Sequence, residues 1–119
     1  MKKIYFITIS VFITIAGCTH AIKSDTSEAL NFQKQAVEIL ASGDFGKLDE
    51  AIRLIDSAIT ISPQSEVLYI TKAQIMMQKE EYGIATDYID KAISLKPEAA
   101  EYWGAKGMIL LMQTDSTNA

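Results

Sequence analysis

Two prolines set the frame of this chain. Pro63 and Pro97 stand 34 positions apart, and the residues before each one match: Ala58-Ile59-Thr60-Ile61-Ser62 against Ala92-Ile93-Ser94-Leu95-Lys96. Further upstream, Asp49-Glu50-Ala51-Ile52 aligns with Gly83-Ile84-Ala85-Thr86. Within the period, Tyr69, Ala73 and Met76 fall on one helical face, and Ala85, Ile89 and Ala92 on a face of a second helix. Both sets follow the four-and-three spacing of helical neighbours. Alanine recurs where two helix axes must approach closely, since a larger side chain would force them apart. A period of this length is one helix pair, which cannot bury its apolar faces alone and stacks on its copies. The chain has two prolines in all, both at expected helix junctions. An all-α fold follows.

The same residues carry a resemblance to the tetratricopeptide repeat. Tyr69 matches the first aromatic position, Ala73 the small position and Tyr82 the turn, followed by Ala85, Ala92 and Pro97. The chain departs from the pattern at Lys72, where leucine is usual, and at Glu80, where glycine is common. The resemblance implies a short right-handed superhelix of antiparallel helix pairs, about two and a half repeats or five helices over residues 28–112. The first helix is expected to start near Thr26, because Asp25-Thr26-Ser27-Glu28 has capping-box spacing. It carries Phe32, Ala36 and Ile39 and ends at Ser42-Gly43, where glycine permits a left-handed terminating residue. The turn from Gly43 to Leu48 is about three residues longer than in the repeat, either a surface insertion or a functional loop, and its two glycines predict flexibility. The second helix carries Ala51, Ile55 and Ala58. After Pro97 a further helix places Trp103, Gly107 and Leu110 at the aromatic, small and large positions. It is expected to run to about Met112, with 113–119 a frayed polar tail.

Residues 1–17 read as an export signal. Lys2 and Lys3 precede an apolar run, Ile4 to Ile15, of about a dozen residues. That is shorter than the ~20 needed to span a bilayer and suits a signal-peptide core. The run closes on Ile15-Ala16-Gly17-Cys18, which resembles the bacterial lipoprotein box. The resemblance implies cleavage before Cys18, acylation (diacylglycerol and palmitate-type chains) of its sulfur and amine, and residues 18–27 as lipidated cysteine and tether. The alternative is an ordinary signal in which Cys18 is incidental. Acyl chains at one residue exceed the two-signal threshold for stable anchoring. The expected location is the bacterial envelope, lipid-anchored, at the outer membrane and facing the periplasm.

Net charge is −4, so no nucleic-acid footprint is present. No catalytic set, glycine-rich phosphate loop or metal-ligand spacing is visible, so neither an enzyme nor a cofactor beyond the lipid on Cys18 is expected. By resemblance, ligands of the repeat lie in a groove lined by the first helix of each unit. Carried over, those positions are Leu30, Gln33, Val37 and Leu40, then Val67, Ile70, Gln74 and Met77, then Glu101, Gly104, Met108 and Leu111. Most are apolar and none is basic, which disfavours a carboxylate clamp and suits an apolar or amphipathic segment, with methionines adapting to shape. The alternative is that these residues fill the core of a small array. The last helix is apolar nearly all round. Trp103 and Leu110 are expected to pack on the preceding unit, leaving Ile109, Leu111 and Met112 as an interface for another envelope protein or for a second copy.

Overall fold

The computed structural model describes residues 25–118, and all its regular structure is helical. Helix α1 covers residues 25–42, and a 3-10 turn follows at Phe45–Lys47. Then come α2 (Leu48–Ile61), α3 (Glu66–Gln78), α4 (Tyr82–Leu95) and α5 (Ala100–Asn118). Five helices in this order are the expected count.

The two proline junctions are built alike. Ser62 N–H donates to Ala58 O at 2.9 Å, and Lys96 N–H donates to Ala92 O at 3.0 Å. In the first junction Tyr69 Oη donates to Pro63 O at 2.8 Å; in the second Trp103 Nε1 donates to Pro97 O at 3.0 Å. The aromatic six residues past each proline thus ties the turn to the helix that follows. The helix ends at Gly43 and Glu80 also share a device, a left-handed residue with φ of 68° and 62° respectively. Past α3, Glu80 N–H bonds Met77 O at 3.0 Å and Glu81 N–H bonds Met76 O at 2.9 Å. These two bonds are the Schellman closure that satisfies a helix's last carbonyls. The long turn after α1 is ordered by its own chemistry, since Asp44 Oδ1 accepts from Gly46 N–H at 3.0 Å and nucleates the 3-10 turn.

Burial falls into two clusters. One joins Ala29 and Ala36 of α1 to Leu48, Ala51, Ile55 and Ala58 of α2 and to Leu68 and Ile75 of α3. The other joins Tyr69, Ala73 and Met76 of α3 to Ala85, Ile89, Ala92 and Ile93 of α4 and to Tyr102 and Ile109 on α5. Helix α3 lies between them and is buried on two faces, which is why it lacks a polar side. The alanines at the crossings, Ala51, Ala58, Ala73, Ala85 and Ala92, are fully buried. Each of the large buried side chains contributes about 1.5–3 kcal/mol relative to exposure.

Two expectations need correcting, and one boundary shifts slightly. Residues 25–27, assigned to the tether, are already helical, so α1 is helical from the first described residue, one position ahead of Thr26. Helix α5 does not stop near Met112 but runs to Asn118. Nothing in its last turns breaks a helix, and the hydroxyls of Thr114 and Thr117 donate back to Leu111 O (2.7 Å) and Thr114 O (2.9 Å). Ile109 is no exposed interface residue; it is completely buried against α4. The stripe of α5 that meets α4 is Tyr102 and Ile109, one residue ahead of the expected Trp103 and Leu110. Tyr102 and Ile109 lie 34 positions past Leu68 and Ile75, which face the preceding helix pair in the same way. The expected signal segment, Cys18 and most of the tether lie outside the described residues.

Candidate partner-binding surface

Helices α1, α3 and α5 each present the positions expected to line a groove. Leu30, Val37 and Val67 are exposed, as are Met108 and Leu111, the last with 68% of its surface open. Gln74, Glu101 and Gly104 are exposed too, while Gln33, Leu40, Ile70 and Met77 are half-buried. Of these, Leu40, Ile70 and Met77 also pack against the two core clusters, whereas Leu30, Val37, Val67, Met108 and Leu111 stand open.

Not all of them come together in one place. Leu40 of α1 meets Gln74, Met77 and Gln78 of α3 around a depression of about 300 Å³. Leu30 and Gln33 line a separate, smaller one, about 150 Å³, with Ser62, Ser65 and Leu68. Between the two, Gln33 Nε2 donates to Thr71 Oγ1 at 3.4 Å, and Thr71 Oγ1 donates to Val67 O at 3.0 Å. This polar link holds α1 to α3 across the floor. Met108 and Leu111 lie on α5 and line neither depression. Sequence reasoning missed Gln78. It lines the larger depression, and its buried Oε1 has no hydrogen-bond partner among the described residues. Nothing in the pattern marks it, because a glutamine in the last turn of a helix is ordinarily solvated.

The charges around the helices are paired across unit boundaries. Lys72 of α3 bonds Asp56 of α2, and Lys106 of α5 bonds Asp90 of α4 at 2.6 Å. The lysines are 34 residues apart and so are the aspartates. Lys72 also sits 4.6 Å from the centre of the Tyr88 ring. Burial alone would lower its pKa, but the bond to Asp56, with Tyr88 acting the same way, outweighs this and holds it above the ordinary lysine value. Lysine instead of the usual leucine is thus accommodated by an anion on one side and a ring on the other. Lys79 pairs with Asp49 at 2.8 Å, and this bond holds the exposed Asp49 carboxyl below the usual range.

No group of three His, Cys, Asp or Glu among the described residues is placed to hold a metal, and no described helix is long and apolar enough to cross a membrane. The depressions between α1 and α3 are walled by both apolar side chains and glutamines.

Residues 67–98, which span α3, the turn and α4, match the tetratricopeptide repeat family. The central helix pair is of that type. Over 84 residues the chain is 36% identical to a DnaJ homolog subfamily C member 7 homolog of Dictyostelium discoideum, a match covering 70% of this chain and 16% of that protein. It is 29% identical over 75 residues to the general transcriptional corepressor ssn6 of Schizosaccharomyces pombe, covering 63% of this chain and 7% of the corepressor. It is 26% identical over 85 residues to the TPR repeat-containing thioredoxin TDX of Arabidopsis thaliana, covering 71% of this chain and 22% of the thioredoxin. The chain spans less than a quarter of each. Tetratricopeptide repeats act as protein–protein interaction modules, generally without catalysis of their own, and the helices here are arranged in that way.

Proposed function

We propose that this chain is a lipid-anchored interaction module of a bacterial envelope, facing the periplasm, that holds an apolar or amphipathic segment of another envelope protein in its groove. The observation that carries the binding half is the depression between α1 and α3. Leu40 and Met77 supply apolar walls, while Gln74 and the unpartnered Gln78 Oε1 supply polar contacts for a bound backbone or side-chain N–H. An orphaned buried acceptor is costly until something donates to it. The half concerning location rests on Ile15-Ala16-Gly17-Cys18 after a short apolar run.

Each half has its own test. Intact mass of membrane-extracted protein should show loss of residues 1–17 with added acyl mass, and Cys18→Ala should leave unprocessed precursor. Normal cleavage of that variant would sink the anchor. For the groove, crosslinked membranes should yield a partner with the native chain but not with Val37→Glu or Met77→Glu, both helical as judged by circular dichroism. Equal capture by both variants would rule the groove out. Self-association through α5 is the rival. It would use Leu111 and Met112, which is 38% exposed, without Ile109, and light scattering would detect it.

A further inference from the structure

The 34-residue period makes a like-for-like comparison between two faces of the same molecule. On α3, Tyr69, Ala73 and Met76 pack against α4 and are 8%, 0% and 7% exposed. One period later on α5, Trp103 is 53% exposed and Leu110 44%. A side chain added at Gly107 would meet nothing within 4 Å. Trp103 nonetheless keeps the aromatic's hydrogen bond to the proline carbonyl, so the two faces are set up alike and differ only in cover. No described element lies over the α5 face.

The covered pair also shows what the open face is equipped to hold. Helix α4 lays Ala85, Ile89 and Ala92 on α3, small residues flanking a large one. Two cation–π contacts cross that interface in opposite senses. Lys72 of α3 lies over Tyr88 of α4 at 4.6 Å, and Lys91 of α4 lies over Tyr69 of α3 at 5.9 Å. Helix α5 carries counterparts of both groups that α3 contributes, a cation and a ring, at the same register: Lys106 one period after Lys72, and Trp103 one period after Tyr69. Lys106 is already held on one side by Asp90, as Lys72 is by Asp56. Its side chain is 30% exposed where that of Lys72 is 11%, because no ring caps it. Trp103 offers the strongest ring face for a cation among the side chains.

We infer that the face of α5 bearing Trp103, Gly107 and Leu110 is a docking site for a partner helix of α4's chemistry. That helix runs antiparallel to α5 and carries alanine, tyrosine-isoleucine and lysine-alanine in the spacing of Ala85, Tyr88, Ile89, Lys91 and Ala92. Its tyrosine caps Lys106, its lysine caps Trp103, and its alanines let the axes close over Gly107. This face is distinct from the groove, so the two bind independently.

Trp103 is the chain's single tryptophan and reports its own covering. The probe is a synthetic peptide of residues 80–97, which contains no tryptophan, titrated into the full chain. Saturable blue-shifted emission of Trp103 is expected, lost with an Ile89→Glu peptide. Tyr88→Ala and Lys91→Ala peptides should each bind roughly 2–5-fold more weakly. In the protein, Lys106→Met should remove the penalty of the Tyr88→Ala peptide, as a double-mutant cycle requires. Leu110→Glu, at an exposed position that leaves the fold intact, should abolish the shift, while the groove variant Met77→Glu should leave it unchanged. Emission that stays solvent-like at millimolar peptide, or a shift indifferent to Ile89→Glu, overturns the inference. So does a concentration-dependent shift without peptide, accompanied by doubled scattering mass, which would give the face to a second copy.

Discussion

Glu80 occupies a backbone conformation that glycine adopts freely, and the substitution Glu80→Gly should stabilise the protein. Its φ of 62° lies in the left-handed region, where a side chain's Cβ crowds the following carbonyl oxygen at a cost of about 1–2 kcal/mol. The conformation is imposed by the closure of α3, whose last carbonyls are satisfied only if residue 80 turns left-handed. Glycine removes the crowding but gives the unfolded chain more freedom, which offsets roughly 0.5–1 kcal/mol. The side chain is exposed, so little packing is lost. A net gain of about 0.5–1 kcal/mol remains, or about 2–8 °C in melting temperature for a domain of this size. Glu80→Ala keeps the Cβ and should melt within about 2 °C of the native chain. Gly43, at φ 68° after α1, supplies the mirror experiment, and Gly43→Ala should lose about 1 kcal/mol. Thermal and urea unfolding followed by circular dichroism measure all three. Should Glu80→Gly melt no higher than Glu80→Ala while Gly43→Ala is neutral, the left-handed closures do not govern these helix ends.

Ala85→Leu should overpack the fully buried crossing of α3 and α4 and cost about 1–3 kcal/mol; Thr86→Leu, half-buried one position on, should change urea stability little, and equal midpoints would mean the helical register is wrong. Asp56→Asn should leave the Lys72 ammonium without its anion and lose about 1–2 kcal/mol at pH 7, discounted because the carboxylate is half exposed. The pH dependence has a definite sign: a raised folded pKa gives stability that is complete below the ordinary lysine value of 10.5 and lost as pH climbs through the higher folded one. Urea midpoints of the native chain and Asp56→Asn should therefore converge above that range, and parallel curves would show that the pair contributes nothing.

The helix count, the junctions and the buried alanines were legible because each leaves a periodic trace. Pro63 and Pro97 mark the turns, and Ala85, Ile89 and Ala92 are apolar on a helix whose other side is not. The face of α5 was not legible for the opposite reason. Tyr102 and Trp103 are adjacent, as are Ile109 and Leu110, and a helix apolar all round gives no phase to decide which member of each pair turns inward. The period decides it once Leu68 and Ile75 are seen to face backwards and Tyr69 and Met76 forwards. The end of α5 misled because serine, threonine and aspartate favour turns, yet here the threonine hydroxyls bond back within the helix. Gln78 carries no pattern at all; only its position at the mouth of a depression singles it out.

Because α3 lends Ile75 to one cluster and the next residue, Met76, to the other, neither cluster is closed without it. In a stacked array, stability is a sum over units and the junctions between them, and here one thirteen-residue helix belongs to both junctions at once. Opening at α1 or α5 removes one terminal helix from one cluster and leaves the rest in place, whereas loosening α3 opens both clusters together. Amide exchange should therefore be slowest in α3 and equally insensitive to which end is perturbed, with protection falling outward towards α1 and α5. A partner that tightens one end therefore slows only those openings that loosen α3, and leaves the fraying of the opposite end unchanged.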